Sequence, residues 1–186
     1  SWSHYQGVYD AEVSCQAFSP ILPGNYQQTS YPLAVFVWTL RNPTRKPLDL
    51  SLLLSWRNTT GWFTNTDSSA EVHFRDDGSP EHNYAPAIGK SEGHRNRWVD
   101  DGSLKGVLLE GDVSQPVAEG EGQWCIATDA ALEVQRCSRW NPTGTGAELW
   151  EPFARDGSIP DSNNDRHSGQ NDPASAALAV KCHLEP

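Results

Sequence analysis

The stretch from Cys15 to Trp62 reads CQAFSPILPGNYQQTSYPLAVFVWTLRNPTRKPLDLSLLLSWRNTTGW, and its patterning decides the fold. Just upstream, Ala11, Val13, Cys15 and Ala17 alternate with Glu12, Ser14 and Gln16. That is the period of a strand with one buried face. Ser19 to Gly24 and Asn25 to Pro32 are turn-rich and predict a loop. Leu33 to Leu40 is almost wholly apolar, β-branched or aromatic, which predicts a central strand. Asn42-Pro43-Thr44 and Lys46-Pro47 form a tight joint. Beyond it, Leu48, Leu50, Leu52, Leu54 and Trp56 alternate with Asp49, Ser51 and Ser55, predicting a second half-buried strand with Trp56 in the core.

Outward from this stretch the signals are shorter. Residues 57–97 are polar, with a short strand predicted at Val72–Phe74. The tetrapeptide Asp-Asp-Gly-Ser occurs at 76–79 and again at 100–103, and both copies predict turns. The second copy joins Trp98-Val99 to Leu104–Leu109 as a hairpin. Gln123–Thr128 and Leu132–Cys137 read as strands around Asp129-Ala130. Leu149, Trp150, Phe153 and Ala154 fall at near-helical spacing, so a short helix is predicted over Ala147–Ala154, ended by Gly157. Residues 161–173 are a polar loop, and Ala177–Leu184 a closing strand. Seven to nine strands and one short helix give a mainly β fold: an antiparallel, supersandwich-like β-sandwich with long loops.

Composition narrows the function classes. The chain has 186 residues, with 15 Gly, 13 Pro and 37% apolar residues, which suits β-structure with long loops rather than a helical bundle. A net charge of −10 argues against nucleic acid and anionic membrane as partners. No apolar run is long enough to span a bilayer, and no signal-peptide pattern is visible. Cys15, Cys125, Cys137 and Cys182 form no C-x-x-C pair, and they are expected to be buried thiols. Eight Trp residues suit core anchors or sugar-stacking platforms.

Catalytic constellations are sparse. There is no G-x-S-x-G elbow, and His4, His73, His82, His94, His167 and His183 form no metal-binding pair, which predicts solvated or locally bonded imidazoles. Of the 24 acids, Glu110, Glu133, Glu148 and Glu151 have apolar neighbours, as the acid of a glycosidase needs. Glu148 and Glu151 flank Trp150 and are expected to face solvent. Asp161, Asn163, Asp165 and Asp172 fall on the spacing of a calcium loop, but Arg166 stands where the loop needs Gly. Neither a metal nor a cofactor is expected. Asn58-Thr59-Thr60 is an N-glycosylation pattern, meaningful only in a secreted protein.

Several segments, taken in order, carry a family resemblance. They are Val13-x-Cys15-Gln16 followed by Phe18–Tyr26, then Tyr31–Trp38, Asn42 with Pro47–Ser51, Leu54–Asn58, Leu104–Leu109 and Ala179–Cys182. The chain resembles the N-terminal domain of the bile-acid β-glucosidase, or non-lysosomal glucosylceramidase, family: glycoside hydrolase family 116. The resemblance implies that residues 1–186 are part of one N-terminal β-sandwich domain of a retaining β-glycosidase. It implies a partner (α/α)6 barrel that carries both catalytic carboxylates and takes the β-glucoside or glycolipid substrate. No catalytic residue transfers to this chain. The chain reads as an excised piece, with the sandwich's first segment and last strand lying outside it. Cytoplasmic location, with peripheral membrane association, follows from the family and the cysteines. Arg57, Asn58, Trp62 and Phe63, in the loop leaving a core strand, are expected to rim the substrate cleft or meet the other domain. A free-standing carbohydrate-binding module and a structural adhesion-type sandwich are the alternative classes.

Overall fold

A computed structural model describes residues 2–5, 9–60, 71–83, 92–111, 122–129, 133–169, 172 and 174–186. The described residues are mainly β, in four sheets that do not close into a barrel. The strands are β1 (Trp2–Tyr5), β2 (Glu12–Phe18), β3 (Val35–Arg41), β4 (Leu48–Arg57), β5 (Glu71–Phe74), β6 (Pro80–Asn83), β7 (Arg95–Asp100), β8 (Lys105–Glu110), β9 (Trp124–Thr128), β10 (Glu133–Trp140) and β11 (Ser175–Leu184). Among the described residues two helices accompany them, α1 (Tyr26–Thr29) and α2 (Ala147–Asp156). Eleven strands among the described residues exceed the seven to nine expected, because short strands such as β1 and β6 lack an apolar period. The chain divides into two compact units: Ser1–Leu50 with Cys182–Pro186, and Ser51–Lys181.

In the first unit, β1, β2 and β3 form an antiparallel sheet in that order. Val13 and Cys15 on β2 are buried, as their alternation predicts. The expectation of a central strand at Leu33–Leu40 is corrected. β3 is an edge strand, and Phe36, Val37 and Trp38 are 51%, 47% and 40% exposed. An apolar run records what a strand can bury; it does not record whether a covering layer is present. The joint after β3 behaves as predicted: Asn42 Oδ1 accepts from Thr44 N at 2.9 Å, and its Nδ2 donates to Lys46 O at 2.7 Å.

In the second unit two antiparallel sheets face each other. β7-β8-β9 presents Val107, Leu109 and Ile126 to Ala176 and Leu178 of the sheet β10-β11-β4, with Trp98 and Val134 at the margin. The opposite side of β11 is covered too. Ala177 and Ala179 pack with Cys137, Leu149 of α2 and Ile159, flanked by Leu53, Trp140 and Phe153. A strand covered on both faces has little room, which is why β11 is built from Ser and Ala where layers approach closely.

This cover reverses the expectation for β4. Its alternation is real, but Leu53 and the serines between the leucines face the α2 layer. Trp140 Nε1 donates to Ser55 Oγ at 3.1 Å, and Ser55 Oγ donates to Ala176 O at 3.0 Å. A Cβ on Gly157 would collide with Ser51 Oγ, and Gly157 also takes the left-handed φ of 70° that ends α2, donating to Phe153 O. Leu54 and Trp56 are exposed instead, so Trp56 is not core. The helix prediction holds, with α2 extending to Asp156. Both Asp-Asp-Gly-Ser copies are hairpin turns held by the second aspartate. Asp77 Oδ1 accepts from Ser79 N at 2.9 Å between β5 and β6, and Asp101 Oδ1 accepts from Ser103 N at 2.8 Å between β7 and β8. The four thiols are free: Cys15 and Cys137 are buried, Cys182 is half-buried, and Cys125 is exposed, contrary to expectation. β9 is an edge strand, so a buried setting for every residue is not available there.

Candidate functional site

The loop leaving β4 begins at Arg57 and Asn58. Asn58 is buried and acts as a junction. Its backbone N–H donates to Ala174 O at 2.9 Å. Its Nδ2 donates to Glu110 O at 2.9 Å and to Asn96 Oδ1 at 3.0 Å, while its Oδ1 accepts from Thr60 N at 3.0 Å. Asn96 carries the chain of bonds onward, donating from Nδ2 to Ser138 O at 2.8 Å. One asparagine thus links the ends of β4, β7, β8 and β11, and through Asn96 it reaches β10. A buried network of this kind is stabilising because each member is satisfied; removing one leaves the others without partners. The side-chain amide of Asn58 is therefore engaged inside the fold, and the glycosylation pattern it belongs to is closed in the folded chain.

His94 locks the next turn of the loop. Its Nε2 lies 2.6 Å from Thr60 O, and a carbonyl only accepts, so the proton is on Nε2. Its backbone N–H donates to Ser168 Oγ at 2.8 Å, and its carbonyl accepts from Ser168 N at 2.7 Å. Burial holds the imidazole below its ordinary pKa, against the hydrogen bond to Thr60, with the charges of Arg57 and Arg139 acting in the same direction as burial. Arg57, whose charge acts on His94, is half-buried. Trp62 and Phe63, the aromatic members of the sequence-predicted site, lie outside the described residues.

The acids are engaged elsewhere. Glu110 sits 3.4 Å from Arg97 and accepts from Gln123 Nε2 at 2.9 Å. Glu133, Glu148 and Glu151 are exposed, and Glu148 accepts from Asn141 N. In the polar loop each aspartate takes an arginine. Asp165 pairs with Arg95 at 2.7 Å, Asp172 with Arg139 at 2.7 Å and Arg166 at 2.8 Å, and Asp161 lies 3.5 Å from Arg136. The calcium-like spacing is thus a series of ion pairs. Arg136 Nε is near Asp161 without hydrogen-bonding it, and its guanidinium lies 5.0 Å from the centre of the Trp98 ring.

Sequence reasoning did not single out Asn96 or Arg139, and it read His94 only as a solvated or locally bonded imidazole, of which the bond to Thr60 is the second kind. A usable signal existed for Asn96: alternation along Arg95-Asn96-Arg97-Trp98 places Asn96 on the inward face with Trp98. Nothing comparable marks His94 or Arg139, whose settings depend on residues 162–168 and Asp172 meeting the ends of β7 and β10.

The family model for the N-terminal domain of β-glucosidase 2, glycosyl-hydrolase family 116, matches residues 1–186, and the chain belongs to that family. Membership implies a glycoside hydrolase parent with a catalytic domain in the same protein. Among the described residues no helix is long and apolar enough to cross a membrane.

Proposed function

With that membership as premise, we propose that this chain is the non-catalytic domain of a retaining β-glucosidase of the glucosylceramidase type, packing against an (α/α)6 catalytic barrel. The observation that carries this is the apolar surface of the first unit. On its sheet Phe36 and Trp38 are exposed on one face and Phe18 and Val37 on the other, and Ile21 and Leu22 are exposed in the loop before β3. Surfaces this apolar mark interaction sites far more often than solvent-facing ones. The β-glucoside or glycolipid is taken by the barrel. The β4 exit loop supplies the rim through Arg57, Trp62 and Phe63, with Asn58 bonded into the fold at the start of the loop. The whole enzyme is cytoplasmic, with peripheral membrane association.

A carbohydrate-binding module is the second possibility, favoured by one observation. Trp56 and Trp124 are both about half exposed, with ring centres 6.4 Å apart and planes tilted by 31°. Exposed indole rings are a common surface for sugar faces.

Hydrolysis of an aryl β-glucoside by residues 1–186 and by the full-length parent separates these possibilities. An active parent with an inert isolated chain is expected. Hydrolysis by the isolated chain would overturn the assignment and direct attention to Glu133, Glu148 and Glu151. An inert chain that binds a soluble β-glucan, alongside an inert parent, would favour the module. In the parent, Trp62→Ala is expected to lower kcat/KM; unchanged activity and stability would remove Trp62 from the rim.

A further inference from the structure

Two buried polar groups in the second unit are left open on one side. His94 is engaged at Nε2, but its Nδ1 is shut from solvent and meets no hydrogen-bonding group among the described residues. Arg139 has the same asymmetry. Its side chain is 7% exposed, Nη2 reaches Asp172, and Nη1 is buried without an acceptor. Leaving such groups unpaired costs about 1–3 kcal/mol each in a folded protein. Both residues are tied to one segment, His94 through Ser168 and Arg139 through Asp172.

Arg57 is the third member. It is half-buried and has no hydrogen-bond or ion-pair partner among the described residues. Its charge and that of Arg139 both act on His94. Among the described residues of this segment Arg139 and Arg166 share one carboxylate, Asp172, which leaves Arg57 without one. The neighbouring charges are already closed: Arg95 with Asp165, and Arg97 with Glu110. A local excess of cations persists inside a chain whose net charge is −10.

We propose that Arg57, His94 and Arg139 form a site for a small oxyanion, a carboxylate or phosphate group. The anion accepts from Arg139 Nη1–H and takes the unpaired guanidinium of Arg57 as its counter-charge. His94 keeps its Nε2 proton on Thr60 and takes up a second proton from solvent at Nδ1, which then donates to the anion. Binding is therefore linked to proton uptake and strengthens as the solution becomes more acid through the imidazole range. Arg57 is the side of entry, because its guanidinium is not engaged within the fold among the described residues. The inference goes beyond the domain's proposed role and stands without it.

Thermal unfolding of the 186-residue chain tests this, with chloride replaced by inorganic phosphate or by formate at constant ionic strength, near pH 6 and near pH 8. A saturable rise in Tm with at least one anion, larger at the lower pH, is expected. Response to phosphate alone identifies a phosphate site; response to formate identifies a carboxylate site. Arg57→Gln removes no hydrogen bond or ion pair among the described residues, so the variant should unfold like the parent chain in chloride and bind the anion roughly tenfold more weakly. The NMR titration midpoint of the His94 imidazole should rise when the anion is present. No saturable response to either anion, an undiminished response in Arg57→Gln, or a His94 midpoint indifferent to the anion would each overturn the proposal.

Discussion

β3 and β11 contradict their own sequences. Val35–Arg41 reads VFVWTLR and is exposed along most of its length. Ser175–Leu184 reads SAALAVKCHL, far less apolar by volume, and its first five residues are buried. The difference lies in the cover. β11 has a sheet on one side and α2 with its flanking loop on the other, and only small side chains fit both. β3 is an edge strand in a three-stranded sheet, and its large side chains Phe36, Val37 and Trp38 keep 40–51% of their surface exposed. Side-chain size thus reports how closely a neighbour approaches, and apolarity reports what a neighbour would be worth. A strand with large exposed apolar residues is a surface suited to a partner.

The comparison is broken most forcefully by removing the cover of β11. Leu149→Ala deletes the fully buried α2 residue of the core cluster, and urea denaturation should show a loss of about 2–5 kcal/mol. A loss below about 1 kcal/mol would mean that α2 is not a structural layer. Overfilling the same place comes next: Ala177→Leu should cost about 1–3 kcal/mol, since the strand has no free face to accept the added volume. If Ala177→Leu is neutral, close approach is not the reason for the alanines.

A pH series sharpens the account of the second unit. The unfolded chain protonates His94 near its ordinary value of 6.5, while burial holds the folded imidazole lower. Between those two values the unfolded state binds more protons. The stability tied to neutral His94 is therefore complete above pH 6.5 and is lost as pH falls through the folded value, with a slope of at most about 1.4 kcal/mol per pH unit. His94→Gln should remove that component from urea midpoints compared across the same range; an unaltered slope would assign it to other groups. The smallest effect belongs to β3. Val37→Thr should change the stability of the isolated chain by no more than about 0.5 kcal/mol. A loss as large as that of Ala177→Leu would show β3 to be covered.

Much of the fold is legible in residue order. The alternation at Ala11–Ala17, the paired Asp-Asp-Gly-Ser turns and the helix ended by Gly157 are local signals, and local geometry satisfies them. Cover is not a local property. Nothing in Leu48–Trp56 says that the serine-bearing face meets Trp140 and Gly157 while Trp56 faces outward. The candidate site divides in the same way. Arg57 and Asn58 stand out because they leave a strong strand, but the junction made by Asn58 requires Asn96, Glu110 and Ala174, which come from three other strands or their edges. His94 and Arg139 acquire their setting only when a distant polar loop crosses them.

The exposed apolar side chains of β3 are the link between structure and proposed function, and amide hydrogen exchange along the strand tests it. Exchange should be compared for β3 and β11 in the isolated chain and in the full-length parent. Strong protection of β11 in both, with β3 exchanging fast alone and slowly in the parent, is the result predicted for a domain that packs against the catalytic barrel. Equal exchange of β3 in the two proteins would contradict it and leave the exposed apolar face without the partner assigned to it.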